Sequence, residues 1–273
     1  MQAKLLDLPT DEYFAIDAFS QSAAKTLIGR SPAHARAGYR KTPTKAMERG
    51  DVIGRLLLGK GKDYEVIQAA NFMTKEAKAK RDAAREQGLV PVLAHDFENY
   101  CLAAESIRVQ LAERGIILDG QSEQQITWTE HTEFGDVLCK GMFDHVWLDT
   151  GIVIDLKTTT DASPSAVERT AENLGYAIQC AAYSRALTAL DPRLAGKIAF
   201  AFVWAETDEP YAVNVTEPDG IFRELGERRW LRAVREWARC IRDDRWPSYG
   251  PGVNPITAPT WALAREGYQP DER

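Results

Sequence analysis

The feature that most constrains this chain is an apolar strand that becomes charged at its end. Residues 151–158, GIVIDLKT, begin as a buried β-strand, yet Asp155 and Lys157 place two charges there. Because side chains alternate between the faces of a strand, both charges share one face, while Ile154 and Leu156 share the other. Charges in a core strand are destabilising unless they are paired or bind a metal ion. The pattern therefore indicates a structural ion pair or a metal site.

A second carboxylate precedes this strand across an expected hairpin. The strand-like segment DVLCKGMFDHVWLD carries Asp144, and the turn is expected near Asp149 and Thr150. If the loop has an even number of residues, Asp144 lies opposite or nearly opposite Asp155 on the same face. An odd loop with a bulge at Gly151 would break that match unless a second bulge restores it.

Two carboxylates beside one ammonium favour a hard divalent cation, because like charges at short range do not both ionise without positive charge. Oxygen ligands favour Mg²⁺, with Mn²⁺ as a second possibility. Such an ion could activate water and stabilise charge on a phosphate, with Lys157 orienting or deprotonating the nucleophile. The alternative is a structural Asp155–Lys157 pair with Asp144 in a turn.

The rest of the chain reads as helices, three strands, a helical segment, two strands and a helix. This order predicts an α+β, or mixed α/β, fold in a single domain over residues 1–273. Residues 1–115 form a mainly helical region, 120–245 a core, and 246–273 an irregular tail. Strands are expected in EQQITWTE, DVLCKGMFDHVWLD, GIVIDLKT, KIAFAFVWAE and YAVNVTE. Helices are expected within residues 20–60, 74–88, 91–113, 163–190 and 217–244.

Composition excludes some classes of protein. The chain has no apolar run long enough to span a bilayer, and its start lacks the features of a signal peptide. The four cysteines form no CxxC pair, so a zinc site and disulfides are not expected, and a reducing cytoplasm is the expected compartment. The net charge of −6 argues against a general nucleic-acid-binding coat, although a local basic groove remains compatible with it.

The segment GMFDHVWLDTGIVIDLKTT resembles the core of the PD-(D/E)xK nucleases, in the form of the exonuclease VIII (RecE-like) family of phage and prophage recombination nucleases. The likeness runs from about residue 18 to 264. It includes LIGRSPAHARAGYRKTPTKAMERGDVIGRLLLG, NFMTKEAKAKRDAAREQGLVPVL, YAIQCAAYSRAL, VWAETDEPYAVNV and the closing WPSYG and PTWA. The resemblance implies a restriction-endonuclease-like core, with a central mixed sheet flanked by helices and an N-terminal helical region.

The resemblance also implies roles for particular residues. Asp144 and Asp155 would bind the metal, the backbone carbonyl of Leu156 would complete its inner shell, and Lys157 would be the catalytic lysine. Glu123 could reach the metal through water, or it could be a solvated strand end.

Two further residues, Gln179 and Tyr183, would lie beside the site. Helical spacing places them on one face with Tyr176. The alternative for this face is a core stripe with Cys180 and Leu187.

One departure from the family pattern lies at Gly54. Relatives with the pattern G-T-A-x-H-x-L-L-L carry a histidine that helps to bind a metal, whereas the matching run here is GDVIGRLLL. The neighbouring pair Gly50 and Gly54 would allow close packing of another backbone. The missing histidine leaves two interpretations: an enzyme with one metal or an added water, or a weakened or lost nuclease that still holds DNA.

The activity implied by the resemblance is Mg²⁺-dependent 5′ to 3′ digestion of one strand of linear double-stranded DNA. It further implies a ring-like homo-oligomer and a partner that anneals single strands. Phosphate contacts are expected from basic residues, and the alternative for them is a solvated face. The candidates are Arg40, Lys41, Lys45, Lys75, Lys78, Lys80 and Arg81.

Overall fold

The computed structural model describes residues 3–38, 44–250, 252–253 and 255–267. The strands are β1 (Ala3–Leu6), β2 (Phe19–Ser20), β3 (Tyr64–Ile67), β4 (Val90–Leu93), β5 (Gln121–Thr132), β6 (Gly135–Trp147), β7 (Ile152–Thr159), β8 (Ala199–Glu206) and β9 (Val213–Thr216). The helices are α1 (Thr10–Ala15), α2 (Gln21–Gly29), α3 (Pro32–Arg36), α4 (Lys45–Leu58), α5 (Lys75–Glu86), α6 (Ala94–Glu113), α7 (Pro164–Asn173), α8 (Tyr176–Leu190), α9 (Gly220–Asp243) and α10 (Thr260–Arg265), with a 3₁₀ helix at Pro192–Leu194.

A mixed sheet forms the centre of the molecule. Within the described residues it has seven strands, in the order β1-β5-β6-β7-β8-β9, with β2 beside β6. Strands β5, β6 and β7 run antiparallel, whereas β7 and β8 are parallel, and α7 and α8 make the crossover between them. The predicted fold class, a mixed α/β or α+β architecture with a central mixed sheet flanked by helices, is confirmed.

Helices cover both faces of this sheet. On one face, Val153 of β7 belongs to a core shared with α2, α8 and α9, which includes the fully buried Trp230. On the other face, Ile154 of β7 packs in a second core with Ile53 of α4 and Ile107 of α6. Consecutive residues of β7 therefore face different helical layers, as strand alternation requires.

Two glycines allow helices to approach their neighbours closely. A Cβ atom on Gly50 of α4 would lie 2.9 Å from Oγ1 of Thr158 on β7, which agrees with the packing role expected for Gly50. A Cβ atom on Gly226 of α9 would overlap the carbonyl oxygen of Ala177 on α8. The contact between Gly226 and Ala177 sets the distance between α8 and α9.

The structure differs from the sequence-based prediction in the N-terminal region and in the tail. Val90–Leu93 is a strand, β4, paired in parallel with β3, where a helix was expected from Pro91. Pro91 is tolerated because β4 pairs on one side only in this two-stranded sheet. Strand β1 forms by pairing with β5, a long-range contact that four residues cannot signal alone. In the tail expected to be irregular, Thr260–Arg265 forms α10 from good helix formers.

No helix in the described ranges is long and apolar enough to cross a membrane. The four cysteines are free thiols, and Cys101 alone among them is exposed.

Candidate active site

The hairpin between β6 and β7 sets the position of the two aspartates. Four residues, 148–151, connect the paired residues Trp147 and Ile152, so the loop has the even number that the sequence analysis considered. Gly151 adopts φ 73°, in the left-handed region that favours glycine, and its N–H donates to the carbonyl of Trp147 at 2.9 Å. Continued by one position, this register brings Asp144 opposite Asp155.

The strands separate at these two aspartates. The β6–β7 ladder ends at the pair His145–Ile154, and Oδ2 of Asp144 then accepts the backbone N–H of Leu156 at 2.8 Å. The Asp144 side chain therefore lies in the fork between the strands, where it takes the place of a ladder hydrogen bond. This geometry brings Asp144 next to Asp155, although by insertion between strands and not by simple projection from one sheet face.

The carboxylate of Asp155 is fully buried and is contacted on both oxygens. Lys157 Nζ forms an ion pair with Oδ1, and Nε2 of Gln179 on α8 donates to Oδ2. Burial alone would lower the pKa of Lys157, but the charges of Asp155 and Asp144 outweigh it and raise the pKa above its usual value. Lys157 is therefore an ammonium ion at neutral pH.

Asp144 differs from an ordinary surface aspartate in its protonation. Burial, followed by the charge of Asp155, raises the pKa of Asp144 to about 8, while Lys157 acts in the opposite direction. The positive charge of Lys157 is thus not enough to keep both carboxyl groups ionised at neutral pH.

Glu123 lies at the edge of this acidic group. It sits within β5 with φ 51°, and the residues on either side of it pair with those flanking Asp144. Burial and then the charge of Asp51 raise the pKa of Glu123, whereas Lys62 and Lys60 lower it. Glu123 is half-buried near the start of β5, and its contact with a metal through water stays a prediction.

The two residues predicted from α8 have different surroundings. Gln179 is buried and contacts Asp155 directly. Tyr183 donates its hydroxyl to the carbonyl of Met142 at 2.7 Å, and a Cβ atom on Gly141 would lie 2.9 Å from its ring. Tyr183 therefore packs against β6 beside the site, with its hydroxyl engaged by the backbone.

Lys25 of α2 is a contact that the sequence analysis missed. Its Nζ donates to Oε1 of Gln179 at 3.2 Å and lies 4.7 Å from the ring centroid of Tyr176. Lys157 Nζ lies 4.5 Å from the same ring. The available signal was a single lysine within the otherwise weakly polar helix AAKTLIG, which alone does not indicate a partner.

Gly54 lies against the strand that carries the site. A Cβ atom there would meet Cδ2 of Leu156 at 4.0 Å, so the position has room for a Cβ atom. His145 does not replace the missing histidine. Its Nε2 accepts the N–H of Gly120 at 3.0 Å, and its Nδ1 lies 2.8 Å from Oγ of Ser122, so both ring nitrogens serve the fold.

Four of the basic residues predicted to contact DNA, Lys75, Lys78, Lys80 and Arg81, lie on α5, which packs against β3 and β4. Two of them form exposed ion pairs, Lys80–Glu76 and Arg81–Asp82. Lys75 and Lys78 are exposed and have no ionic partner within the described part of the chain. Lys45 is the first residue of α4. Arg40 and Lys41 lie outside the described residues.

The donor set has the chemistry that a hard divalent cation requires. Asp144, Asp155 and the Leu156 carbonyl offer oxygen atoms at the fork, and burial followed by the charge of Asp155 raises the pKa of Asp144. Within the described residues, no three side chains of His, Cys, Asp or Glu are arranged as a ready metal site, and Asp155 instead contacts Lys157. By the oxygen chemistry of Asp144, Asp155 and the Leu156 carbonyl, the residues nevertheless fit Mg²⁺ or Mn²⁺.

Adjacent strands that bring Asp144 beside Asp155-Leu156-Lys157, in a mixed sheet flanked by helices, define the PD-(D/E)xK class of fold. A family model described as "PDDEXK-like domain of unknown function (DUF3799)" matches residues 18–257. The chain belongs to this family, and the predicted relation to the PD-(D/E)xK superfamily is confirmed.

One solved structure shares this fold, and a second matches it more weakly. A crystal structure of a candidate exonuclease from Eubacterium rectale superposes with a TM-score of 0.57 at 12% identity, covering 95% of this chain and 98% of that one. A phage-related exonuclease from Haemophilus somnus gives a TM-score of 0.36 at 13% identity, covering 83% and 96% of the two chains. A comparison with proteins of curated function gave no match.

Proposed function

We propose that this protein is a metal-dependent deoxyribonuclease that hydrolyses phosphodiester bonds of linear duplex DNA as a 5′ to 3′ exonuclease. The observation that carries the proposal is the meeting of Asp144, Asp155, Lys157 and Gln179 at the fork between β6 and β7. A purely structural ion pair would not require a second, largely protonated carboxyl group at the same place.

Each site residue would have a separate role in the reaction. Asp144, Asp155 and the Leu156 carbonyl would hold Mg²⁺ or Mn²⁺, with Glu123 reaching it through water. Such an ion, when bound, lowers the pKa of a water molecule and stabilises charge on the phosphate. Lys157, an ammonium ion at neutral pH, would supply positive charge to the phosphate and orient the nucleophile.

Residues of α8 would support these groups. Gln179 donates to Asp155 and so fixes the orientation of that carboxylate. Tyr183 ties α8 to β6 through the Met142 carbonyl, next to the strand that carries Asp144.

Digestion of end-labelled linear duplex tests the proposal. The duplex carries a label at one 5′ end or one 3′ end and is incubated with Mg²⁺, Mn²⁺ or EDTA. We expect metal-dependent release of the 5′ label first, and loss of cleavage in Asp155→Ala and Lys157→Ala. Asp149→Ala, an exposed aspartate of the same hairpin, is the matched control and should cleave as wild type. Intact DNA in every metal would contradict the proposal.

A second candidate function is a non-catalytic nuclease-fold protein that binds DNA or a protein partner. Gly54, which has no side chain to bind a metal, favours it. This candidate predicts a gel shift of duplex DNA without digestion in any metal. Gly54→His separates the two, because it restores the histidine of the family pattern at a position with room for a Cβ atom. A gain in cleavage rate would show that the missing ligand limits an active enzyme.

The resemblance supports three further parts of the proposal. The enzyme would act in the cytoplasm, as a ring-shaped homo-oligomer around DNA, and with a partner that anneals the exposed single strand. Light scattering of the purified protein, with and without duplex, tests the ring: a monomer under both conditions would contradict it.

A further inference from the structure

Lys25 reaches the candidate site from a different part of the chain. It lies on α2, whereas the other contacting residues come from β6, β7 and α8. A Cβ atom on Gly175 would lie 3.2 Å from Cγ of Lys25, so this glycine lets the lysine stem pack against the start of α8. The Lys25 ammonium is thereby held beside Gln179 and Tyr176.

The hydrogen-bonding capacity of Lys25 exceeds what the fold uses. A lysine ammonium has three N–H donors, and within the described residues Gln179 Oε1 is the acceptor that Lys25 reaches. Because Lys25 Nζ donates to Oε1 and Asp155 accepts from Nε2, the Gln179 amide is fixed with its oxygen toward α2 and its nitrogen toward Asp155. Donors on Lys25 remain for a ligand.

Lys25 also lies in a place where an anion is favoured. Its Nζ and that of Lys157 both lie within 5 Å of the Tyr176 ring centroid, at 4.7 and 4.5 Å. Burial and then the charge of Lys157 lower the pKa of Lys25 to about 7, with Asp155 acting in the opposite direction. In addition, α8 starts at Tyr176 without a side-chain cap, and a helix N-terminus favours negative charge.

We propose that Lys25 binds a backbone phosphate of the DNA strand, next to the phosphate that is hydrolysed. The inference rests on the proposed function, since it concerns the same substrate. The bound phosphate would relieve the repulsion between the two ammonium groups and accept the unused donors of Lys25. Lys25 would therefore determine where the strand lies relative to Asp155 and Lys157.

The salt dependence of DNA binding tests this assignment without using cleavage. Binding of a fluorescent linear duplex is measured by anisotropy in Ca²⁺ and, separately, in EDTA, over a series of KCl concentrations. Each phosphate contact contributes about 0.9 to the slope of log affinity against log salt. Lys25→Gln, which keeps a donor for Gln179 but removes the charge, should weaken binding several-fold and reduce the slope by about one. Lys25→Arg should keep the wild-type slope.

The control is Lys197→Gln, which removes an exposed charge before β8, at the end of that strand opposite the site; its slope should equal that of wild type. If the melting temperature of Lys25→Gln falls below that of wild type, Lys25→Met is measured in its place. A wild-type slope in the neutral variant would overturn the phosphate contact of Lys25 and leave the proposed function standing. Absence of duplex binding by the wild-type protein in both buffers would overturn this inference and the proposed function together.

Discussion

Asp144 is the residue whose protonation depends most on what the site contains. It is placed beside Asp155 by the fork between β6 and β7, and Lys157 is the nearby ammonium that opposes the rise in its pKa. A divalent ion would add the missing positive charge and favour the ionised form of both carboxyl groups. The protonation of Asp144 therefore reports on the chemistry proposed for the site.

In metal-free buffer, the stability of the protein should fall as pH rises from 5 to 7, below the range in which Lys25, with a native-state pKa of about 7, is mostly deprotonated. The pKa of Asp144 is about 8 in the native state, against 3.8 for an ordinary aspartate, so between these values the native state binds more protons than the unfolded chain. Its stabilising effect is complete below the unfolded pKa and is lost as pH rises through the folded pKa. Urea unfolding in EDTA at several pH values measures this fall.

The variant Asp144→Asn should remove part of the pH dependence, by up to about 1.4 kcal/mol per pH unit, since one fewer proton is released. The burial-raised pKa of Glu123 should leave a residual slope. Asp149→Asn is the matched control and should retain the wild-type slope. A wild-type slope in Asp144→Asn would show that Asp144 is already ionised in the native state at pH 5.

Residue-level features of the site were predictable to the extent that they were local. The Asp155-x-Lys157 alternation and the loop after Asp144 are set by short-range geometry, and both agree with the structure. Insertion of Asp144 between the strands was not predictable, because it depends on where the ladder ends. Lys25 was missed because its contact with Gln179 spans 154 positions and has no periodic signature.

At the scale of elements, α8 is the helix on which the site depends most. It carries Gln179 and Tyr183, and its N-terminus lies beside Lys25. Its distance from α9 is set by Gly226, where a side chain would overlap the Ala177 carbonyl. Long amphipathic helices were easy to predict because their periodicity is visible in the sequence. Strands β3 and β4 were not, because short strands are defined by their partners.

The substitution Gly226→Ala should therefore destabilise the protein by more than about 3 kcal/mol, since the overlapping atom belongs to the backbone and cannot move away cheaply. Below its melting temperature, the variant should also lose cleavage, because displacement of α8 moves Gln179 away from Asp155. Chemical unfolding and the DNA digestion assay measure the two effects.

The control Gly220→Ala lies at the start of the same helix, and a Cβ atom there meets nothing within 4 Å. It should change the free energy of unfolding by less than about 1 kcal/mol. Equal stability of the two variants would contradict the close α8–α9 contact.

At the scale of the whole molecule, a buried network around Glu130 joins three elements. Glu130 of β5 accepts hydrogen bonds from the indoles of Trp128 and Trp230, at 2.9 and 3.1 Å, and from Arg185 of α8 at 2.7 and 2.6 Å. Burial would raise the pKa of Glu130, but the hydrogen bonds from Arg185 and Trp128 outweigh it and lower the pKa. The network ties β5, α8 and α9 together apart from the candidate site.

Replacement Glu130→Ala should lower the free energy of unfolding by about 3–5 kcal/mol, because it removes the shared buried acceptor of two indoles and of the half-buried Arg185 guanidinium. Glu227→Ala removes a more exposed partner of Arg185 and should cost less than about 1 kcal/mol. Cleavage by folded Glu130→Ala should match wild type, because none of these contacts involves the site. Equal loss of stability in the two variants would contradict a central role for Glu130.

The most direct test of the account is the position of Mn²⁺ in crystals of the protein, located by anomalous diffraction. The proposed function predicts a peak within coordination distance of the carboxylates of Asp144 and Asp155 and of the Leu156 carbonyl, and its loss in Asp155→Ala. Crystals soaked in Mn²⁺ that show no peak at the fork between β6 and β7, with Lys157 still paired to Asp155, would contradict it.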